Sequence, residues 1–343
     1  MTFNDSNTNL SPKIVWVTSI VFSVMFTLII WYFGKNLQPF LETLLPDKGS
    51  SWYYWKLPRR IPETMIIVWS LYAAHQFSAW FSIYWAQSNL KSITSSKLSL
   101  YNYAVLSINV IFSIIHLIET HILFDGLAQD VPIWTSQGSV ILMLVFVLII
   151  ENRRRGFFLG YKVEKPFTVK VTGFFRKIHT YVFSWALVYT FWFHPMAVDP
   201  QLLSGFIYMF FLFTQMSLAW TRIHLDPRWI IFLESYVAVH ALIVAVYNTL
   251  MHGSADIWPM FFSGFISMLV FTYQYGLKTS KRVKLGLTAA YSLFLIFLYA
   301  PKPLGLGREI SYLIRLEFSW IPIILYGLAL GFGGFYYLVK PKR

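Results

Sequence analysis

The sequence predicts an all-α, polytopic membrane helix bundle of about ten transmembrane helices, with both termini cytoplasmic. Three observations carry that expectation. Of 343 residues, 57% are hydrophobic and only 13% charged, about half the roughly 25% charged share of a water-soluble domain. The apolar residues fall in blocks of about twenty, the length that crosses the hydrocarbon core of a bilayer. Short polar breaks separate the blocks, with proline at several block starts, where a first helical turn tolerates it. So few charges exclude a soluble globule or a disordered chain, and the absence of Cys excludes a disulfide scaffold, thiolate metal sites and Cys nucleophiles. Residues 1–343 are expected as a single integral membrane domain.

The expected spans lie at 14–33, 62–87, 101–124, 133–151, 174–195, 201–221, 229–251, 257–276, 284–300 and 318–339. The first follows a polar start with one Lys and runs into Trp31-Tyr32-Phe33-Gly34 without a small-x-small cleavage site, so it is expected as a retained span. Pro62 and Pro132 open the second and fourth. Asp199-Pro200 and Asp226-Pro227 precede the sixth and seventh. In the last span, Leu330-Gly331-Phe332-Gly333-Gly334 suits close helix packing. No soluble domain, low-complexity segment or internal repeat is visible.

Charge sets the orientation, because basic residues collect in cytoplasmic loops. Arg153-Arg154-Arg155 with Lys162, Lys165, Lys170, Arg176 and Lys177 form the richest basic stretch. Lys91 and Lys97, Arg222 and Arg228, Lys278 to Lys284, and Lys340 to Arg343 fall on the same side. The alternate loops hold Asp125, Asp130, Asp199 and Asp256. The net charge of +13 is therefore topology, not nucleic-acid binding. Two outer loops break the pattern: 34–60, with Arg59, Arg60 and the aromatic cluster Trp52-Tyr53-Tyr54-Trp55, and 301–316, with Lys302, Arg308 and Arg315. The aromatic cluster suits the headgroup region.

Ionisable side chains inside a span are costly and mark function. Of the eight His, the topology puts His75 and His240 near the midplane and His116, His121, His194 and His252 toward the outer surface. His179 and His224 fall toward the cytoplasm. In the third span Asn102, Asn109, Ser113, His116 and Thr120 form one polar stripe. Glu119 sits about 60° from His116, whereas His121 is about 140° away, so His116 and His121 share a centre only if the helix is distorted. The HxxExH pattern lacks the i,i+4 spacing of a zincin.

The outer group carries the first expectation. Imidazole plus carboxylate suits non-haem Fe or Zn, so His116, His121, His194 and His252 are the expected metal ligands, with Glu119 as the catalytic carboxylate among them. The plainer alternative makes His194-Pro195 and His252-Gly253 interfacial helix ends. His75 and His240 are expected either as ligands of haem b or as a hydrogen-bonded pair without a cofactor. In the fifth span His179 and His194 are about 60° apart in azimuth and roughly 22 Å apart along the axis. That separation resembles the two-His helices of transmembrane b-type cytochromes, which implies a haem near each surface and a second such helix. His240 and His252 differ by about 120° and His240 lies too deep to match His179, so the resemblance covers one helix only.

Nucleophile elbows, phosphate loops, desaturase His boxes and a mid-membrane Lys for a retinal Schiff base are all absent. Arg222-Ile223-His224-Leu225-Asp226-Pro227-Arg228 reads as a topology signal with a capped helix start. The expected function is an integral membrane metal- or haem-dependent enzyme, an oxidoreductase acting on a lipid-phase substrate near the extracytoplasmic side. The alternative is a non-catalytic membrane subunit or a transporter whose His and Tyr form a hydrogen-bond or proton path. A third expectation, acyl or glycosyl transfer with His or Glu119 as general base, needs no metal. Membrane lipids are the expected partners, and the inner or plasma membrane is the expected location in a bacterial cell.

Overall fold

A computed structural model describes residues 10–46, 55–91, 94–252 and 258–339, except the side chains of His252 and Tyr337. Each expected apolar run falls on a helix. These are α1 Pro12–Phe33, α3 Pro62–Asn89, α4 Leu100–Leu123, α5 Ile133–Arg155, α6 Val169–Phe193, α7 Pro200–Ser217, α8 Pro227–His252, α9 Trp258–Phe271, α10 Lys281–Tyr299 and α12 Trp320–Val339. The short helices α2 Gln38–Leu41 and α11 Ile310–Ile314 lie in the connections. Among the described residues there is no strand, only the isolated bridges Ser95–Thr221 and Phe158–Tyr161.

Among the described residues, six segments are long and apolar enough to cross a membrane: Pro12–Leu41, Leu100–Leu123, Ile133–Arg155, Pro227–Met251, Lys281–Tyr299 and Glu317–Tyr336. Their mean hydropathy runs from 1.3 to 2.3, and their outward faces carry exposed Met25, Ile118, Leu293 and Phe335. Apolar side chains in such numbers on outward faces suit lipid and not water. The chain is an integral, multi-pass membrane protein. α9, at 14 residues, extends about 21 Å and falls short of the roughly 30 Å hydrocarbon core by itself.

Helix ends follow local chemistry. Pro12, Pro62 and Pro200 open α1, α3 and α7, and Asp199 caps α7 by accepting the Leu202 N–H at 2.9 Å. Asp226 accepts the Arg228 N–H at 2.8 Å ahead of α8. The run expected to reach residue 221 leaves the helix at Ser217, because Trp220 takes a left-handed φ of 62° and the chain turns toward Ser95. The orphaned carbonyls at the end of α7 are met by the start of α4. Asn102 Nδ2 donates to Ser217 O and Ala219 O, both at 2.8 Å, and the Tyr101 hydroxyl donates to Met216 O at 3.0 Å.

The chain divides into two compact units. Unit 1 comprises residues 1–140 and 180–229, and unit 2 residues 141–179 and 230–343. In unit 1, α7 packs against both α1 and α4, and α3 packs against α4. In unit 2, α9 packs against α10 and α12. There the Asn152 side chain brackets Val163, donating to its carbonyl at 2.8 Å and accepting its N–H at 3.0 Å.

Candidate functional site

The polar stripe of α4 lies inside unit 1, and its centre is His116. α6 stops at Phe193 ahead of Pro195, which cannot continue a helix. The His194 carbonyl is thereby released from helical pairing and meets His116 Nε2 at 2.9 Å. One turn along α4, the Thr120 hydroxyl accepts the Met196 N–H at 3.0 Å. The other ring nitrogen of His116, Nδ1, lies 2.9 Å from Glu119 Oε2. Both residues are buried, at 0% and 5% exposure.

This geometry places protons. A carbonyl only accepts, so Nε2 carries a hydrogen and donates to His194 O. With Nε2 so committed, an attractive contact between Nδ1 and the Glu119 carboxyl requires one further proton, held either as imidazolium with carboxylate or as imidazole with carboxylic acid. Both forms are neutral overall, which suits a buried pair. Removing that proton sets a nitrogen lone pair against a charged oxygen, so the contact loses its attraction when the pair is deprotonated.

Toward the end of α4 the network continues. Phe124 ends the helix with a left-handed φ of 49°. Asp125 then donates its N–H to Glu119 Oε1 at 3.3 Å. A Cβ on Gly126 would lie 2.8 Å from the Phe193 carbonyl oxygen, so only glycine allows this turn to close on the end of α6. The fully buried Asp125 carboxylate accepts from Arg60 Nη1 at 2.5 Å. Arg60 also grips Asp130 with two parallel bonds, Nε to Oδ1 at 2.6 Å and Nη2 to Oδ2 at 2.7 Å. Trp69 Nε1 donates to the same carboxylate at 2.8 Å. Burial opposes the charge on Arg60, but hydrogen bonds to Asp130 and Asp125 outweigh it and hold its pKa above the ordinary value.

On its other side His116 lies against Trp192, ring centres 4.4 Å apart. The Trp192 indole N–H donates to His75 Nδ1 at 3.2 Å. That nitrogen is therefore an acceptor, and His75 donates from Nε2 to Asn109 Oδ1 at 3.1 Å. Asn109 Nδ2 in turn donates to the Ser217 hydroxyl at 3.1 Å. Phe112 stacks on the imidazole at 4.5 Å. His75 is thus a neutral ring in one tautomer with both nitrogens committed inside unit 1, whereas His240 stands in α8 of unit 2.

Within unit 1, the side chains of the other expected ligands turn to partners other than His116. His121 turns both ring nitrogens to carbonyls, Leu117 O at 2.8 Å and Phe33 O at 3.2 Å, as its azimuth on α4 requires. The His194 ring bends back to Thr190 O at 3.2 Å and rests against Trp55, ring centres 5.3 Å apart. Its backbone carbonyl is the group that meets His116 Nε2. His179, in unit 2, has Nδ1 2.5 Å from Arg176 O. The His252 side chain and residues 52–54 of the aromatic cluster lie outside the described residues. Among the described residues no three His, Asp or Glu side chains form a group arranged to hold a metal.

Arg60, Asp130 and Trp192 belong to the network, and the sequence did not single them out as site residues. A signal existed for the first two: Arg60 breaks the charge rule in an outer loop, and Asp125 and Asp130 occupy the next outer loop. The chain matches no known family model, no curated protein and no solved structure.

Proposed function

We propose that this is a ten-span membrane protein with both termini cytoplasmic, in which the His116–Glu119 pair binds and releases a proton, as a transporter or as the proton-handling subunit of an assembly. One observation carries the proposal: a buried imidazole whose Nε2 is committed to a carbonyl and whose Nδ1 lies 2.9 Å from a buried carboxyl oxygen. Imidazole and carboxyl both change charge, and their contact is attractive only while the shared proton is present. Proton release therefore favours separation of the two side chains. Glu119 is bonded to Asp125 and Asp125 to Arg60, so that movement reaches the loops before α3 and after α4. Metal binding by the same imidazoles requires His116, His121 and His194 to leave their present hydrogen bonds.

The test is infrared difference spectroscopy on protein reconstituted in lipid, titrated between about pH 5 and 8, where imidazole changes charge. The expected result is a protonated-carboxyl stretch that changes together with an imidazole ring mode. The coupled change is lost in Glu119→Gln, and both signals persist in Asp130→Asn. Identical spectra for the native chain and Glu119→Gln remove the proposal. The span count and orientation are checked separately. Because the chain has no Cys, single cysteines at the exposed positions 132 and 96 are each the only thiol. An impermeant maleimide added outside is expected to label 132 and not 96.

A further inference from the structure

Unit 1 also encloses a cavity of about 230 Å³ between α1, α4 and α7. We propose that it binds a small uncharged alcohol or phenol that enters from the lipid between α1 and α4. The size sets the first limit. A cavity of about 150 Å³ holds benzene, so in proportion this one takes roughly nine non-hydrogen atoms.

The lining sets the chemistry. No Asp, Glu, Lys, Arg or His faces the cavity, so a charged ligand would be buried at membrane depth without a counter-ion, at high cost. Three phenylalanines, Phe22, Phe210 and Phe213, supply aromatic walls, and the polar lining is Thr18, Ser19, Asn109, Ser113, Thr214 and Ser217. The hydroxyls of Thr18, Ser113 and Thr214 donate to carbonyls of their own helices, which leaves them as acceptors toward the cavity. Ser217 differs. Its oxygen accepts from Asn109 at 3.1 Å, and its own proton has no acceptor among the described residues. Ser19 likewise has an uncommitted hydroxyl. The cavity therefore offers both donors and acceptors to one ligand oxygen that can do the same.

The packing sets the route. α7 packs closely on both α1 and α4, whereas α1 and α4 have no comparable contact with each other. The gap between them is closed at one end by Val15, Leu98 and Leu218 with Trp16 and Tyr103 packed on them. At the other end it is closed by His121 reaching Phe33 O. Between those closures the cavity is partly open, and exposed neighbours along the two helices, such as Val21 and Ile114, are apolar. A lipid-soluble molecule fits that entrance better than an ion from water. Naming this molecule as cargo rests on the proton-coupled reading above; its binding does not.

The experiment uses the full chain in lipid nanodiscs with the para-fluorinated analogue of 2-phenylethanol, followed by fluorine NMR. A bound resonance absent from empty nanodiscs is expected, displaced by unlabelled 2-phenylethanol and not by phenylacetate. Ser217→Ala is expected to weaken binding about tenfold, the worth of one hydrogen bond. Ser113→Leu and Thr18→Phe, which fill the cavity and its mouth, are expected to abolish it. Thr18 faces the opening, so a larger side chain there leaves the packing of α7 intact. Absence of a bound resonance overturns the proposal, as does equal competition by phenylacetate or unchanged binding in both filling variants. Glu119→Gln is expected to bind the probe normally, so failure of the cavity and failure of the proton site give different results.

Discussion

The two units each bury a carboxylate against a nitrogen base, and the bases differ. In unit 1 Glu119 meets His116 at 2.9 Å. In unit 2 Glu234 meets Arg155 at 2.5 Å, with the guanidinium 4.8 Å from the centre of the Tyr273 ring. Both pairs are shut off from solvent, so burial alone does not separate their roles. The base does. A guanidinium keeps its protons at every biological pH, which makes Arg155–Glu234 a fixed ion pair able only to hold helices together. An imidazole, unlike a guanidinium, can change charge in the biological range, so the contact between His116 and Glu119 depends on the proton that lies between them. Arg308–Glu317, joined by Nε to Oε2 at 2.7 Å and by the Tyr299 hydroxyl at 3.1 Å, repeats the fixed type in unit 2.

This contrast makes quantitative predictions. The largest effect is expected in unit 2. Arg155→Met leaves Glu234 buried without its cation and should cost about 3–5 kcal/mol in thermal unfolding of the detergent-solubilised protein, whereas adding Glu234→Leu should restore most of that loss. If the double variant is no more stable than the single one, the pair is not the fixed clamp described. In unit 1, Glu119→Gln keeps an amide against His116 Nδ1 and should cost only about 1 kcal/mol while removing the infrared signature of the pair. A loss as large as that of Arg155→Met would make Glu119 a structural residue and erase the difference between the units. The smallest effect belongs to Asp130→Asn. Asp130 is partly exposed, and as an amide it keeps one acceptor oxygen but turns an N–H toward a donor of Arg60 or Trp69, so a loss within about 1 kcal/mol is expected, shrinking further in high salt.

Much of the fold was legible because a membrane simplifies the code. Lipid demands about twenty apolar residues per crossing, so runs such as 101–124 and 229–251 name their own helices, and the helices formed there begin and end within two residues of those bounds. Deviations arose where local backbone chemistry intervened, as at Trp220, whose left-handed conformation ends α7 early. The stripe Asn102, Asn109, His116 and Thr120 was also legible, because helical periodicity puts those residues on one face, and all four are buried. What periodicity does not reveal is a partner on another helix. The bond from His116 to the His194 carbonyl depends on where α6 stops and how the chain after it crosses α4. The same holds for Arg60, which reaches Asp125 across 65 positions of sequence.

By itself the sequence determined the solvent of this protein, its helices, the helix face that carries the polar residues and the lack of thiol chemistry. Those properties follow from composition and period, which are local. Only the tertiary structure decided that both ring nitrogens of His75 are committed, that His116 sits between the His194 carbonyl and Glu119, and that the rings of His121 and His194 turn elsewhere. Each depends on which donor or acceptor a distant segment places about 3 Å away. An imidazole serves as ligand, relay or clasp according to those neighbours, and the neighbours are chosen by packing.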